Sequence, residues 1–345
     1  MAFKSLQRQH PKLRYKHSWS SEKAAPCKEI IQAFDPSVQI HDVTDKATRS
    51  KMPAPMVHLH TPPCRTYAKG GKLEGEMDPR GQLFGKGFEF AAGEENGEKP
   101  DASIFECTSN MTCKKFAPIV KRHILKLKNA GFQTRARLLN VADFKRAHQR
   151  KRLFVVAINQ TKQVRPFKWP KPQPKVTAEM TILGPKQPGD KPGRLPQLQG
   201  KSRERAQNLC KRAYATCWKK GIDARKVPIL VDVDCSEDHS TFGVNEMRTL
   251  LHSRPLGPWI STAGRRTNID ELLRSQGYPT DDSLPWRRCN ISERTLGTLL
   301  GNGVSLDVLT PVVRNVLNLL VICDGTWSMW HQHIPICFVH LSPLG

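Results

Sequence analysis

Cysteine pairs of the kind that bind zinc or build a regular disulfide framework are missing from this 345-residue sequence. It has ten cysteines, yet no two of them form a Cys-x-x-Cys pair. His58, His60 and Cys64, or Cys107 and Cys113, come nearest to a metal site, but zinc sites have more specific spacings. We therefore expect no metal, and reduced thiols of the kind found inside cells.

Long hydrophobic runs and a leader segment are also missing. No signal peptide precedes the cysteines. The apolar run Val316–Cys323 is interrupted by Asp324 and Gly325, well short of the ~20 residues that a bilayer-spanning helix needs. No internal repeat of about 20–50 residues occurs. These absences predict an intracellular protein without a membrane segment, and they leave residues 316–345 as an unassigned tail.

Acidic residues are scarce relative to basic ones. Lys and Arg number 55 against 31 Asp and Glu, which gives a formal net charge of +24. Such an excess favours a polyanionic partner such as nucleic acid, because basic side chains release counterions when they contact phosphates. A soluble basic protein without such a partner would have the same composition. The length of the chain is sufficient for one large domain and a smaller one.

What the sequence does contain is a cysteine in a distinctive setting, within Thr61–Phe84. Two prolines fix the backbone before Cys64, and the glycines that follow allow the chain to approach a ligand closely. The apolar run Pro55–His60 predicts a buried strand, which places Cys64 on a loop at a strand's end, where α/β proteins carry their chemistry. Taken alone, a cysteine in such a loop is more often a buried structural residue.

This stretch resembles the catalytic loop of the cytosine-5 DNA methyltransferases. In that family Pro-Cys-Gln is followed by Phe-Ser, a glycine and an Asp-x-Arg-Gly-x-Leu-Phe segment. Pro63-Cys64 and Asp78–Phe84 match the pattern. Arg65 stands in place of the glutamine, and Tyr67-Ala68 in place of Phe-Ser. The resemblance implies that Cys64 is the nucleophile that adds to carbon 6 of a flipped-out cytosine.

Further segments match the family in the same order along the chain. Ala102–Phe105 predicts a strand that leads into Glu106, at the position of the family's Glu-Asn-Val, with Cys107-Thr108 replacing Asn-Val. Arg150 and Arg152 occupy the arginines of its Gln-x-Arg-x-Arg strand. By resemblance, Glu106 would hold the ring nitrogen and the exocyclic amine. Arg152, with Arg150, would contact the base carbonyl or the charge of the adduct. Nearby arginines are expected to depress the pKa of the nucleophilic thiol.

The resemblance also implies S-adenosylmethionine as the cofactor. Glu22 and Asp42 match the acids that contact its ribose and adenine, although either acid alone is more often a solvated surface residue. The other implied cofactor contacts are Pro63, Leu83, Asn302 and Val304. The last two belong to 301–304, which resembles the family's closing Gly-Asn-Ala-Val motif and follows a Gln-Gly-Tyr-Pro segment at 276–279. The family's opening Phe-x-Gly-x-Gly turn has no counterpart in Met1–Lys16.

We therefore expect an α/β fold: a Rossmann-like methyltransferase sheet, incomplete at its N-terminus, with a smaller irregular target-recognition region. The expected divisions are the main part of the catalytic domain (1–160), a basic Pro-rich linker and target-recognition region (161–255), the C-terminal return of the catalytic domain (256–315) and the tail (316–345). Residues 85–99 are expected to be polar surface, and 161–205 too rich in Pro and Lys to form a core. The resemblance covers roughly 19–309, with 161–255 least matched.

Three functions remain open from the sequence. The first is a cytosine-5 methyltransferase acting on double-stranded DNA, expected to be a monomer and, in a eukaryote, nuclear. The second is a truncated, inactive relative that binds nucleic acid by charge, favoured by the missing glycine turn and by Arg65, Ala68 and Cys107. The third is a methyltransferase of the same fold acting on transfer RNA.

Overall fold

The computed structural model describes residues 2–9, 15–281 and 284–320, and the backbone of 334–340. The strands are β1 (Tyr15–Ser21), β2 (Gln39–His41), β3 (Val57–Thr61), β4 (Ala102–Thr108), β5 (Phe132–Asn140), β6 (His148–Gln149), β7 (Lys151–Asn159), β8 (Ile229–Val231), β9 (Phe242–Val244), β10 (Met247–Arg248), β11 (Trp259–Ile260), β12 (Arg265–Arg266) and β13 (Ile334–His340). The helices are α1 (Ala2–Gln9), α2 (Ala25–Phe34), α3 (Lys46–Arg49), α4 (Pro79–Ala91), α5 (Ala117–Asn129), α6 (Ala178–Thr181), α7 (Gly200–Trp218), α8 (Ile269–Ser275), α9 (Glu293–Asn302) and α10 (Leu306–Leu320).

Seven strands form the main sheet, in the order β2-β1-β13-β3-β4-β7-β5. The first five of these run parallel to one another, and β7 is antiparallel to both β4 and β5. Strands that alternate with helices along the chain favour parallel pairing, because the crossover helices cover the faces of the sheet. The mostly parallel α/β sheet predicted from the sequence is confirmed.

One interior strand of the sheet, β13, comes from the C-terminal part of the chain. β13 lies between β1 and β3, with Ile336 paired to His17 on one side and to Val57 on the other. The tail was expected to stay unassigned and the sheet to be incomplete. Instead, residues 334–340 lie between β1, which precedes Glu22, and β3, which precedes Cys64. A short apolar strand at this place satisfies the backbone hydrogen-bonding groups of both neighbours.

The two faces of the sheet bury different cores. On β4, Ile104 packs with Leu59 against α10, whereas Phe105 packs with Phe88 of α4 and the α5 side. This follows from the two-residue period of a strand, which points successive side chains to opposite faces. The Phe88 and Phe105 rings are stacked with 3.8 Å between their centroids. The loop that follows β3 and carries Cys64 thus leaves the sheet between two well-packed layers.

Helix α4 corrects the expectation that residues 85–99 are polar surface. Phe88, Phe90 and Ala91 are buried. Gly87 lies so close to the His60 ring that an added Cβ would come within 2.3 Å of it. The glycine therefore allows the helix to pack tightly on the sheet, which is why a segment of polar composition lies inside. His58 and His60 are buried among aromatic rings, and no group of three metal-ligating side chains occurs in the described residues.

A smaller sheet, in the order β12-β11-β8-β9, is covered by α7. It extends past residue 255 to Arg266: β11 pairs with β8, and β12 pairs with β11, so neither strand belongs to the main sheet. Residues 161–205 contain more core than expected, because Phe167 and Ile182 are buried in two different clusters. No single described helix is long and apolar enough to cross a membrane; only α9 and α10 together, bent by 48°, reach that length and composition.

Candidate active site

The loop that carries Cys64 begins at the end of β3 and is held by buried contacts. Cys64 follows Thr61, the last residue of β3, by three positions. Tyr67 is fully buried and its hydroxyl donates to the Gly81 carbonyl over 2.9 Å. Asn110 Nδ2 donates to the Tyr67 carbonyl over 2.7 Å, which ties the loop to the segment after β4. Nothing in the sequence pointed to Asn110, since its role depends only on tertiary contact.

Glycines make the return of this loop possible. Gly75 has a φ of +58°, a conformation that glycine adopts without a steric penalty. Gly81 lies in the first turn of α4, and an added Cβ would meet the Gly75 carbonyl oxygen at 1.9 Å. Asp78 caps the helix by accepting from the Arg80 backbone N–H over 2.8 Å. The Asp-x-Arg-Gly segment therefore closes the loop onto α4.

Glu106 lies on β4, which neighbours β3 in parallel, so Cys64 and Glu106 reach the same edge of the sheet. On the other side of β4, Arg152 of β7 pairs with Thr108. Arg152 Nε lies 3.1 Å from Glu106 Oε1, and both side chains are largely buried. The antiparallel pairing of β4 with β7 brings the carboxylate and the guanidinium together, and the parallel pairing of β3 with β4 places them beside the cysteine loop.

Electrostatic interactions connect these three side chains. Burial raises the pKa of the Cys64 thiol; Arg152 opposes that rise, Glu106 adds to it and Arg150 opposes it. The arginines therefore act on the pKa of Cys64 in the expected direction. Their effect is smaller than the cost of burying a thiolate, so the pKa is raised and not depressed. The thiol is protonated at neutral pH in the ligand-free protein.

Arg150 has a different environment from Arg152. Its side chain is buried, and its terminal nitrogens donate to the carbonyls of Leu250 (3.1 Å), Gly301 (3.2 and 3.3 Å) and Gly303 (2.7 Å). Burial is the larger cause and repulsion from Arg152 the next, and together they lower the pKa of Arg150 to about 9. The sequence placed Arg150 beside the base with Arg152; the structure has it holding the closing motif against β7.

The two acids predicted for the cofactor lie side by side. Glu22 follows β1 and Asp42 follows β2, and these strands are parallel neighbours. Glu22 is buried, and its Oε1 accepts from the backbone N–H groups of Lys23 (2.8 Å) and Ala24 (2.9 Å). Partial burial would raise the pKa of Asp42. Hydrogen bonds from Thr44, together with the hydrogen bond and positive charge of Lys23, outweigh that effect and lower the pKa. Two neighbouring carboxyl groups at the carboxyl ends of parallel strands fit the hydroxyls of a ribose.

The remaining cofactor candidates are near the same edge. Pro63 is buried beside Cys64, and Leu83 packs with Trp19 on the α4 side. Asn302 ends α9, and its Nδ2 is buried without a hydrogen-bond partner among the described residues, so it can donate to a ligand. Val304 lines an apolar-walled cavity of about 290 Å³ that also borders Ser20 and Thr61. The other five candidates do not line this cavity.

These residues fit the nucleoside end of S-adenosylmethionine: buried Glu22, neighbouring Asp42 and the unpartnered Asn302 amide are suited to hydroxyl and ring-nitrogen contacts. Tyr278 supports this side of the site, since its hydroxyl donates to the Val304 carbonyl over 3.0 Å. Gln276 does the same for α9 by donating to the Leu300 carbonyl over 2.7 Å. The 276–279 match in the sequence was therefore a signal for residues that position the closing motif.

Comparison with known sequences gives a consistent result. The family model for C-5 cytosine-specific DNA methylases matches residues 3–318. The chain is 31% identical over 111 residues to the type II methyltransferase M.FnuDI of Fusobacterium nucleatum, which is 32% of this chain and 31% of that protein. It is 28% identical over 162 residues to M.MthTI of Methanothermobacter thermautotrophicus, 46% of this chain and 45% of that protein. The matches thus span less than half of the length of these curated relatives.

Solved structures share the fold at low identity. A prophage protein of E. coli described as a DNA modification methyltransferase superposes with a TM-score of 0.59 at 14% identity, covering 88% of this chain and 92% of its own. A DNMT2 mutant of Spodoptera frugiperda superposes with a TM-score of 0.54 at 15% identity, covering 91% and 96%. The likeness therefore extends over both the main sheet and the smaller region.

Proposed function

Since the chain belongs to the C-5 cytosine-specific DNA methylase family, we propose that it methylates carbon 5 of a flipped-out cytosine in DNA through a covalent adduct with Cys64. The observation that carries this proposal is the meeting of the Cys64 loop with the Glu106–Arg152 pair at one edge of the sheet. Cytosine carbon 5 is a poor nucleophile, so a group that adds electrons to the ring is the first requirement of the chemistry.

In the proposed first step, the Cys64 thiolate attacks carbon 6 and forms a sulfur–carbon bond. The electron pair of the 5,6 double bond then becomes available at carbon 5. Glu106 delivers or shares a proton at the ring nitrogen and accepts from the exocyclic amine, which stabilises the electron-rich ring. Since burial raises the pKa of the free thiol, Cys64 must lose its proton when the substrate enters. Arg152 favours that loss through its positive charge.

Arg152 has two functions in this scheme. Its ion pair fixes the Glu106 carboxylate, and its remaining N–H groups can donate to the base carbonyl. Arg150 is proposed as a positioning residue, because both of its terminal nitrogens donate to the carbonyls at 250, 301 and 303. It keeps the closing motif, with Asn302 and Val304, against the strand that carries Arg152.

S-adenosylmethionine, the cofactor of this family, supplies an electrophilic methyl group when bound. Glu22 and Asp42 would hold its ribose and adenine, and Pro63, Leu83, Asn302 and Val304 would surround it. After transfer, carbon 5 would lose its proton to solvent, the Cys64 sulfur would be expelled as a thiolate as the double bond re-forms, and the ring-nitrogen proton would return to Glu106. The net charge of +24 supports backbone contacts that offset the few kcal/mol needed to flip the base.

The test is transfer of a labelled methyl group from S-adenosylmethionine to duplex DNA by the purified full chain. Cys64→Ser should abolish the transfer. Cys113→Ser is the matched control, since Cys113 is also partly exposed and free but lies beyond β4; it should retain activity. Equal loss in both variants, or transfer that persists in Cys64→Ser, would exclude the proposed nucleophile.

Two other outcomes correspond to the alternatives. Label transferred to transfer RNA in preference to DNA, in direct competition, would assign an RNA substrate to the same site. No transfer to either, with no saturable heat of S-adenosylmethionine binding in calorimetry, would indicate an inactive relative that binds nucleic acid by charge.

A further inference from the structure

A second, open groove lies beside α10 and is separate from the catalytic loop. Its walls are the extended segment 165–173, one side of α10 and the turn that carries Lys145, and its volume is about 950 Å³. None of Cys64, Glu106 and Arg152 lines it. The proposed methyl transfer therefore gives this groove no role.

The groove is strongly positive. Its cationic lining residues are Lys145, Arg165, Lys168, Lys171 and Arg314. None of these five forms an ion pair with a described residue. The carboxylate among the lining residues, Asp307, is already held by Arg146, whose Nε lies 2.8 Å from its Oδ2. The positive charge of the groove is therefore largely uncompensated, a condition suited to phosphate groups.

Hydrogen bonds hold the groove walls in place along their length. The Gln173 backbone N–H donates to the Asp143 carbonyl over 2.7 Å. In the middle, Asn315 Nδ2 donates to the Lys168 carbonyl over 2.8 Å. At the far end, an Arg165 guanidinium nitrogen lies 3.5 Å from the Asn318 carbonyl. An extended, lysine-bearing segment is thus fixed alongside α10 and runs antiparallel to it, which makes a preformed channel.

One end of this channel adjoins the catalytic edge. Asp143 follows β5, and near the end of that strand Leu139 pairs with Arg152. A strand of nucleic acid that leaves the proposed substrate site would therefore meet the groove at the same edge of the sheet. Such continuity distinguishes these cations from basic residues scattered elsewhere on the surface.

An aromatic ring lies among the cations. Trp169 lines the groove, is half-buried and packs edge-on against Phe167 with 4.9 Å between the ring centroids. Basic grooves that contain an anchored aromatic ring bind single strands, because phosphates contact the cations while a base stacks on the ring. A channel between one helix and one extended segment also admits a single strand more readily than a duplex.

We propose that the α10 groove binds the backbone of a single-stranded nucleic-acid segment that flanks the substrate site, with one base stacked on Trp169. The groove would then recognise unpaired flanks, hairpin loops or duplex ends, and it would increase affinity without contacting the reacting base. This property goes beyond the proposed methyl transfer, since binding in the groove requires neither cofactor nor Cys64.

The test is fluorescence anisotropy with a labelled oligothymidylate, at several salt concentrations and without cofactor. The groove variant combines Arg165→Gln, Lys168→Gln and Lys171→Gln, all at exposed positions. The control combines Lys114→Gln, Lys121→Gln and Lys128→Gln, which are exposed on and near α5 and remove the same charge. The groove variant should bind about tenfold or more weakly, and its slope of log K against log salt should fall by about 2.

Equal weakening in both variants would show that overall charge explains the binding, and an unchanged groove variant would show that the strand lies elsewhere; either result overturns the proposal. Unchanged melting temperatures exclude unfolding as the cause. A bromouracil oligonucleotide should also crosslink at Trp169, and crosslinking only to peptides outside 143–173 and 306–319 would contradict the site. Loss of methyl transfer with intact groove binding would count against the proposed function alone.

Discussion

Arg152 and Glu106 form a largely buried ion pair, with 3.1 Å between Arg152 Nε and Glu106 Oε1, across the paired strands β7 and β4. A carboxyl group held in this way keeps its orientation, although it is removed from most of the solvent. The strand register fixes the distance between the two side chains.

Glu106→Gln should reduce methyl transfer by about 10²–10⁴-fold, because an amide cannot donate a proton to the ring nitrogen. It should also cost about 1–3 kcal/mol of unfolding free energy, since Arg152 is left without its buried partner. Single-turnover rates and urea denaturation measure the two effects. Glu76→Gln is the control for losing an acid paired with arginine at a more exposed site; unchanged transfer in Glu106→Gln would contradict the assigned role.

The Cys64 thiol should react slowly with iodoacetamide at neutral pH in the free protein, because burial raises its pKa. A raised pKa means that the thiolate forms only as the pH rises beyond the ordinary thiol value of about 8.5. Arg152→Gln should move the midpoint higher still, since a positive charge that favours the thiolate is removed. Lys69→Gln, exposed on the same loop, should not. Alkylation of the Cys64 peptide, followed by mass spectrometry, checks both; a midpoint below 8.5 would refute the prediction.

Gly81→Ala should destabilise the protein by about 1–3 kcal/mol and reduce activity, because the added Cβ would overlap the Gly75 carbonyl at 1.9 Å. Gly70→Ala is a matched control in the same loop, since nothing lies within 4 Å of its added Cβ. Its effect should stay within about 0.5 kcal/mol. Thermal melting and the methyl-transfer assay distinguish the two variants, and equal stability would show that the loop can repack.

Strand β13 should exchange its amide hydrogens as slowly as β3, because it is hydrogen-bonded on both sides. Ile336→Pro removes a donor from the centre of the sheet and should accelerate exchange in β1 and β3 as well. Hydrogen-exchange mass spectrometry of the peptides that cover 15–21, 57–61 and 334–340 measures this. Exchange of the 334–340 peptide at the rate of an unstructured chain would show that it does not belong to the sheet.

Local patterns were sufficient for much of the fold. The apolar runs before Cys64 and Glu106 predicted β3 and β4. Other features depend on distant contacts. The burial of α4 rests on the close packing of Gly87 with His60. The partners of Arg150 are backbone carbonyls about 100 and 150 positions away, which no local motif encodes.

The position of β13 also has a consequence for how the chain acquires its structure. Its neighbour β3 is synthesised about 280 positions earlier, so the ladders that β13 forms with β1 and β3 close only after that whole intervening stretch has been made. Contacts of such long range slow the search for the native topology. Until then β1 and β3 present open edges to any other chain. Nascent molecules should therefore need protection from aggregation on the ribosome, and a gentle, slow expression regime should recover more soluble protein than a fast one.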